Sequence, residues 1–134
     1  MKKDPLVRVE DIMVTQFDIV DSFSTIADAL RQSKHLDNEC VIVDRRHDND
    51  EFGILLLADV AKQIIAVDKS AERVNVYEIM SKPVIYIRPE MDIRYCTRLF
   101  KKFGLTRAPV IGGGKILGIV SYKDIVLKGL LKSH

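Results

Sequence analysis

The chain has no tryptophan, only four tyrosines and five phenylalanines, two cysteines and four prolines in 134 residues. Each shortage closes a class of explanation. So few aromatics, set where a core needs filling, offer no platform on which nucleic-acid bases could stack. Cys40 and Cys96 have no close thiol partner, and His35, His47 and His134 stand at no ligand spacing from them. A disulfide framework and a zinc site are therefore not expected, and both thiols are expected buried and reduced. No apolar run approaches the roughly 18 residues of a membrane span, and Met1 to Pro5 lead into no signal-peptide region. These first residues read as a loose end, the location as cytoplasmic, and no membrane partner is expected. The formal net charge is only +2, with acids and bases interspersed, so there is no broad basic footprint and nucleic acid is not an expected partner.

What is present is 47% hydrophobic and 30% charged residues, the make-up of an ordinary globular chain long enough for one domain or two small ones sharing a core. The chain also repeats itself. Gly53-Ile54-Leu55-Leu56-Leu57-Ala58-Asp59-Val60 is echoed by Gly118-Ile119-Val120-Ser121-Tyr122-Lys123-Asp124-Ile125, 65 positions on. Ile12-Met13 is echoed by Ile79-Met80 at 67 positions, an offset kept by Ile26/Ile93, Ala29/Cys96 and Val43/Val110. Self-similarity at a fixed period marks repeated structural units. The two-residue difference falls between Asp44 and Gly53, where Arg45 to Glu51 reads as a polar turn. The second copy has Gly112-Gly113-Gly114-Lys115 there, a tight turn built on backbone angles that glycine adopts cheaply.

Each copy reads strand, helix, strand, strand, helix. In the first, 17–23 is extended, Thr25 with Asp28 caps a helix to about Leu36, 40–43 and 52–57 form a buried hairpin, and Val60, Ala61, Ile64 and Ile65 recur at helical spacing. In the second, 84–87 is extended and Asp92 caps a helix whose inward stripe is Ile93, Cys96, Phe100 and Phe103, ended by Gly104. A hairpin over 108–111 and 115–120 and a helix from Ser121 to about Leu131 follow. The expected class is α/β (α+β): two βαββα repeats, 9–66 and 76–131, joined by a linker over 67–75. Packed with pseudo-twofold symmetry, they would share one continuous core flanked by two clefts, and leftover apolar surface would favour a homodimer.

Ser121-x-x-Asp124, at a strand-to-helix junction, has two readings. It is a capping box, the serine oxygen satisfying an early helix amide. It is also a hydroxyl and a carboxylate at a helix start, which suits a ribose and a phosphate. Other motifs carry less. Gly112 to Lys115 lacks the hydroxyl residue and the helix of a P-loop, and Asp48 to Glu51 lacks the glycine and distal glutamate of a calcium loop. No serine, cysteine or histidine stands in a nucleophile arrangement, so an enzyme is not expected.

On Ile12-Met13, Ile79-Met80, the run Gly104-Leu105-Thr106-Arg107-Ala108-Pro109-Val110-Ile111 and the stretch Gly118 to Ile125, the chain resembles a tandem pair of CBS domains, a Bateman module, over about residues 9 to 131. The first repeat departs from the pattern, with Leu56 where the family has Ser or Thr and Ile42 where it has Pro. The resemblance implies a regulatory, signal-transducing module that binds adenosine-containing ligands (AMP, ADP, ATP or S-adenosylmethionine), requires no cofactor, and reports occupancy to a regulated protein. By position it implies that Asp124 and Asp59 hold the riboses of two clefts, with Ser121 supporting Asp124. The adenine is implied near Thr15, Phe17, Asp18, Ile19, Lys82, Val84, Ile85, Ile54 and Ile119, and the phosphate near Thr106 and Arg107. It further implies that Arg107 and Lys82 serve the Asp59 cleft, making it phosphate-tolerant, while the Asp124 cleft faces Glu39 and Cys40 and favours a less anionic ligand. The alternative is an interaction module that keeps the fold and has lost the ligand.

Overall fold

A computed structural model of the chain describes residues 6–131, so the expected loose end over Met1 to Pro5 lies outside the described residues. In chain order the elements are α1 (Val9–Ile12), β1 (Ile19–Val20), α2 (Ile26–Gln32), a 3-10 turn (Leu36–Asn38), β2 (Cys40–Val43), β3 (Gly53–Leu56) and α3 (Leu57–Val60), which continues as a π-helix over Ala61–Ile65. There follow α4 (Val76–Ile79), α5 (Ile93–Phe103), β4 (Arg107–Gly112), β5 (Lys115–Ser121) and α6 (Tyr122–Asp124), which continues as a π-helix over Ile125–Leu131. The strand-helix-strand-strand-helix order of the first copy is borne out, while the second keeps its helix, hairpin and last helix with the opening strand reduced to one bridge, and several bounds differ. Of 17–23 only Ile19–Val20 is strand, α2 stops at Gln32, and 84–87 contributes a single bridge, Ile87 to Val110. Phe103 is 49% exposed and does not belong to the inward stripe, whose buried members are Cys96 and Phe100, and Gly104 ends α5 at φ +67°.

Packing divides the chain at places other than the sequence repeats. One compact unit is Gln16–Val84; the other gathers the chain up to Thr15 and from Ile85 onward.

In the Gln16–Val84 unit, β1 runs parallel to β2, with Ile19 opposite Ile42, and β2 runs antiparallel to β3, with Cys40 opposite Leu56 and Val43 opposite Gly53. Thr25 caps α2 by accepting the Asp28 N–H at 3.1 Å. The 67–75 segment packs against the start of α2. Val74 and Ala71 accept the N–H groups of Ile26 and Ala27 at the start of α2, at 2.8 and 2.9 Å, and Val74 itself is buried. Beyond it α4 donates from Val76 and Tyr77 to the carbonyls of Ser24 and Ser22 and buries Val76 and Ile79 with Ile26, Val41 and Leu55.

In the other unit β4 and β5 form an antiparallel hairpin, with Arg107 opposite Ser121. Its turn is the tight one expected: Gly112 pairs with Lys115, and Gly113 and Gly114 between them both have positive φ, +59° and +74°. Here α1 takes the place that α4 takes in its sibling. Val9 and Glu10 donate to the carbonyls of Met91 and Pro89 at 2.8 and 2.9 Å, and Val9 and Ile12 pack with Phe100, Cys96 and Val120. Each unit thus buries its own cluster, where one continuous core was expected. Both cysteines are free and buried, as expected.

Candidate functional site

In the unit carrying the second repeat, β5 ends at Ser121, whose extended backbone (φ −133°, ψ 165°) breaks directly into α6. The Ser121 hydroxyl accepts the Asp124 N–H at 3.3 Å and donates to Asp124 Oδ2 at 2.9 Å. One turn on, Lys128 Nζ stands 3.4 Å from Asp124 Oδ1 and donates to the carbonyl of Ile12, at the end of α1, at 3.4 Å. Asp124 is 7% exposed and is the only buried charged residue among the described ones. A carboxylate is costly to bury unless it is paired, and here it is paired on both oxygens.

Beside it, Val14 and Ile119 exchange two backbone hydrogen bonds of 2.9 Å, which seats the segment after Ile12-Met13 on β5 and leaves Thr15 exposed one residue further on. The approach is close enough to demand glycine. A Cβ on Gly118 would lie 2.4 Å from the Val14 carbonyl oxygen and 2.9 Å from the Met13 sulfur. Across the hairpin, Arg107 faces Ser121 and its Nε reaches the Thr106 hydroxyl at 3.3 Å, while the Thr106 carbonyl accepts from Tyr122 N–H. Thr15, Ile85, Thr106, Arg107, Ile119, Ser121 and Asp124 therefore belong to one unit.

The Gln16–Val84 unit holds Phe17, Asp18, Ile19, Ile54, Asp59, Lys82 and Val84. The bridge recurs: Ile54 and Ser81 exchange hydrogen bonds of 3.0 and 2.9 Å, and Val84 N–H reaches the Phe52 carbonyl, which lays Lys82 and Val84 beside β3. Asp59 is half-buried, and Leu56 offers α3 no side-chain cap. At the place of Lys128 stands Gln63. Two of the expected residues are committed elsewhere. Asp18 accepts the Lys34 and His35 amides at 2.8 Å, and Lys82 pairs with Asp50 at 2.7 Å. The Lys82 ammonium, then the Arg46 amide, hold the Asp50 carboxyl well below its usual range. Lys128, the cation beside Asp124, was not among the expected site residues. Its signal was in the sequence, an Asp and a Lys four apart on one helix face.

A family model described as CBS domain matches residues 76–129. The structure of a hexameric CBS-CP12 protein from bloom-forming cyanobacteria superposes with a TM-score of 0.87 at 32% identity, covering 95% of this chain and 73% of that one. The chain belongs to the CBS-domain family. It is a tandem pair, a Bateman module, since the superposition takes in both repeats. A CBS domain pair of protein MJ0100, solved with 5′-methylthioadenosine and S-adenosyl-L-methionine, shares the fold with a TM-score of 0.73 at 22% identity, covering 90% of this chain and 94% of that one. Among curated relatives, homoserine O-acetyltransferase of Methanobrevibacter ruminantium is 31% identical over 119 residues, 87% of this chain and 23% of that protein. This CBS pair spans half or less of the length of the curated relatives it matches. No helix among the described residues is long and apolar enough to cross a membrane.

Proposed function

We propose that this CBS pair is a regulatory module that takes an adenosine-containing ligand (AMP, ADP, ATP or S-adenosylmethionine), with Asp124 accepting hydrogen bonds from the ribose hydroxyls, and reports occupancy to a partner or an attached enzyme. The observation that carries the reading is the buried Asp124 carboxylate. A helix cap alone needs no buried charge, and here the carboxylate is held by Ser121 and Lys128 beside the residue that follows the Val14–Ile119 bridge. The ligands held by the MJ0100 pair support the same chemistry, and the attachment of a similar stretch to an acetyltransferase fits a sensor that serves an enzyme.

Asp59 is the ribose residue of a second, weaker site, since Leu56 supplies no hydroxyl and Gln63 no charge. The positions of Lys128 and Arg107 shift the proposed phosphate tolerance from Asp59 to Asp124, because a cation offsets the repulsion between a carboxylate and a phosphate. The remaining proposed nucleotide contacts are Thr15, Phe17, Asp18, Ile19, Val84, Ile85, Ile54, Ile119 and Thr106, and the assembly is a homodimer.

Calorimetric titration with AMP, ATP and S-adenosylmethionine tests the reading. One of them binds, and Asp124→Asn weakens it by about 10- to 100-fold, the loss of one or two charge-assisted hydrogen bonds. Binding that survives both Asp124→Ala and Asp59→Ala would rule out these sites. A second reading, a ligand-free interaction module, is favoured by the full engagement of Asp124 by Ser121 and Lys128, and a whole panel without binding would establish it.

A further inference from the structure

The polar turn of the first repeat, Arg45 to Glu51, is absorbed by none of the functions above. The Gln16–Val84 unit gives it a place. β1 and β2 lie side by side and parallel, so their carboxyl ends open together, and crevices beyond such ends are where ligands settle in sheets of this kind. A cavity of about 370 Å³ lies there, lined by Ile19, Val20, Asp21, Ser22, Phe23, Asp44, Arg45 and Arg46. That is within the range of about 300–1,000 Å³ usual for small-molecule sites. Asp59 lies at the opposite end of the sheet, because β3 is antiparallel and delivers it beside the amino end of β2.

The lining carries two positive and two negative side chains, and among the described residues no ion pair joins them. The Arg46 guanidinium lies 4.1 Å over the Phe23 ring, and Arg45 lies 4.9 Å over Phe52. Beyond these rings the only hydrogen bond of either guanidinium among the described residues is from Arg45 to the Asp48 carbonyl at 3.4 Å. Stacking of this kind fixes the planar group and leaves its N–H edge for an anion. Asp21 and Asp44 each use one oxygen on a nearby backbone amide, of Phe23 and Arg45 at 2.8 Å, and among the described residues the other oxygen of each makes no hydrogen bond. The turn is itself anchored: Asp50 accepts the Arg46 N–H at 2.9 Å and pairs with Lys82.

The unit of the second repeat also has a cavity, of about 440 Å³ beside Arg88 and Glu90, but the charges there are joined, Arg88 to Glu90 at 3.2 Å and Arg94 to Asp92 at 2.7 Å. The positions of Asp21, Phe23, Asp44 and Arg45 are taken there by Arg88, Glu90, Ile111 and Gly112, and a Cβ on Gly112 would lie 3.0 Å from the Leu117 side chain and 3.2 Å from Pro89.

Two opposite charge pairs held apart around one apolar wall match a molecule bearing both charges. We propose that this cavity is a second ligand site, distinct from the ribose carboxylates, for a zwitterion of the α-amino-acid class. Its carboxylate meets Arg45 and Arg46, its ammonium meets Asp21 and Asp44, and its side chain lies against Ile19 and Phe23.

Amide proton–nitrogen correlation spectra of the full chain, recorded with millimolar α-amino acids and with the matching amines and carboxylic acids that lack one charge, test it. An amino acid shifts the amides of 19–23 and 44–46, and its one-charge analogues do not. Arg46→Gln and Asp44→Asn each weaken the effect by about 10- to 100-fold with the rest of the spectrum retained. The proposal is overturned if no amino acid moves those amides. It is overturned equally if an amine, an acid or inorganic phosphate binds as well, or if both variants bind unchanged.

Discussion

Asp124 and Asp59 occupy the same position of two repeats and live in different surroundings, because each is surrounded by residues the other repeat lacks. Ser121 and Lys128 bury one carboxylate in a paired state, while Leu56 and Gln63 leave the other half-exposed. The glycines ahead of them differ in the same way. Ala at 118 would push a Cβ to 2.4 Å from a backbone oxygen, whereas Ala at 53 would meet the Ser81 oxygen and the Met80 sulfur at 3.1 Å. Gly118→Ala is therefore expected to cost about 3 kcal/mol and Gly53→Ala about 1 kcal/mol, measured by denaturant unfolding. Equal losses would contradict the difference in clearance. Cys96 gives a pH prediction. Burial pushes its thiol up to about 11, so the folded state keeps the proton while an unfolded thiol loses it near about 8.5. Its stabilising share is whole below the lower value and disappears as pH rises through the higher one. In reducing buffer, Cys96→Ala should show a shallower loss of stability between pH 8.5 and 11 than the parent.

At the scale of elements, local chemistry was readable where one residue decides the backbone. Thr25, Asp92 and Ser121 each cap the helix expected of them, and Gly104 and the Gly113-Gly114 turn fall where positive φ is required. Strand lengths were less legible. Residues 17–23 and 84–87 are apolar enough for strands, yet pairing needs a partner with matching free groups, and only Ile19–Val20 and Ile87 find one among the described residues. The π-helical continuation of α3 and α6 had no sequence signal at all. It occurs at equivalent places in both copies, directly after the two Asp-bearing turns, where widened helical turns often mark functional sites.

For the whole molecule, the repeats and the packed units are cut differently. Val74, Val76 and Ile79 lie beyond the first repeat in sequence and inside the core of the Gln16–Val84 unit. Burying the three contributes roughly 5–9 kcal/mol, comparable to the whole stability of a small domain. A fragment spanning 16–84 is thus expected to melt cooperatively by circular dichroism, and one spanning 9–66 to show no transition. Cooperative melting of 9–66 would show that α4 is dispensable. Charge is also sorted by the fold. Among the described residues, the Gln16–Val84 unit has eight Lys and Arg against thirteen Asp and Glu, and the other unit has ten against five. The +2 of the chain conceals two units of opposite sign.

Residue identity at short range was enough for the duplicated motif, the family, the caps and turns, and the difference between Leu56 and Ser121, because none of these depends on a distant partner. The tertiary structure alone decided that α1 and α4 change places between the repeats, that Lys82 is spent on Asp50, that Lys128 joins Asp124 to the end of α1, and that Arg45 and Arg46 frame a cavity with Asp21 and Asp44. Those outcomes turn on which distant backbone groups and charges meet, and a residue's own preferences do not specify its distant partners.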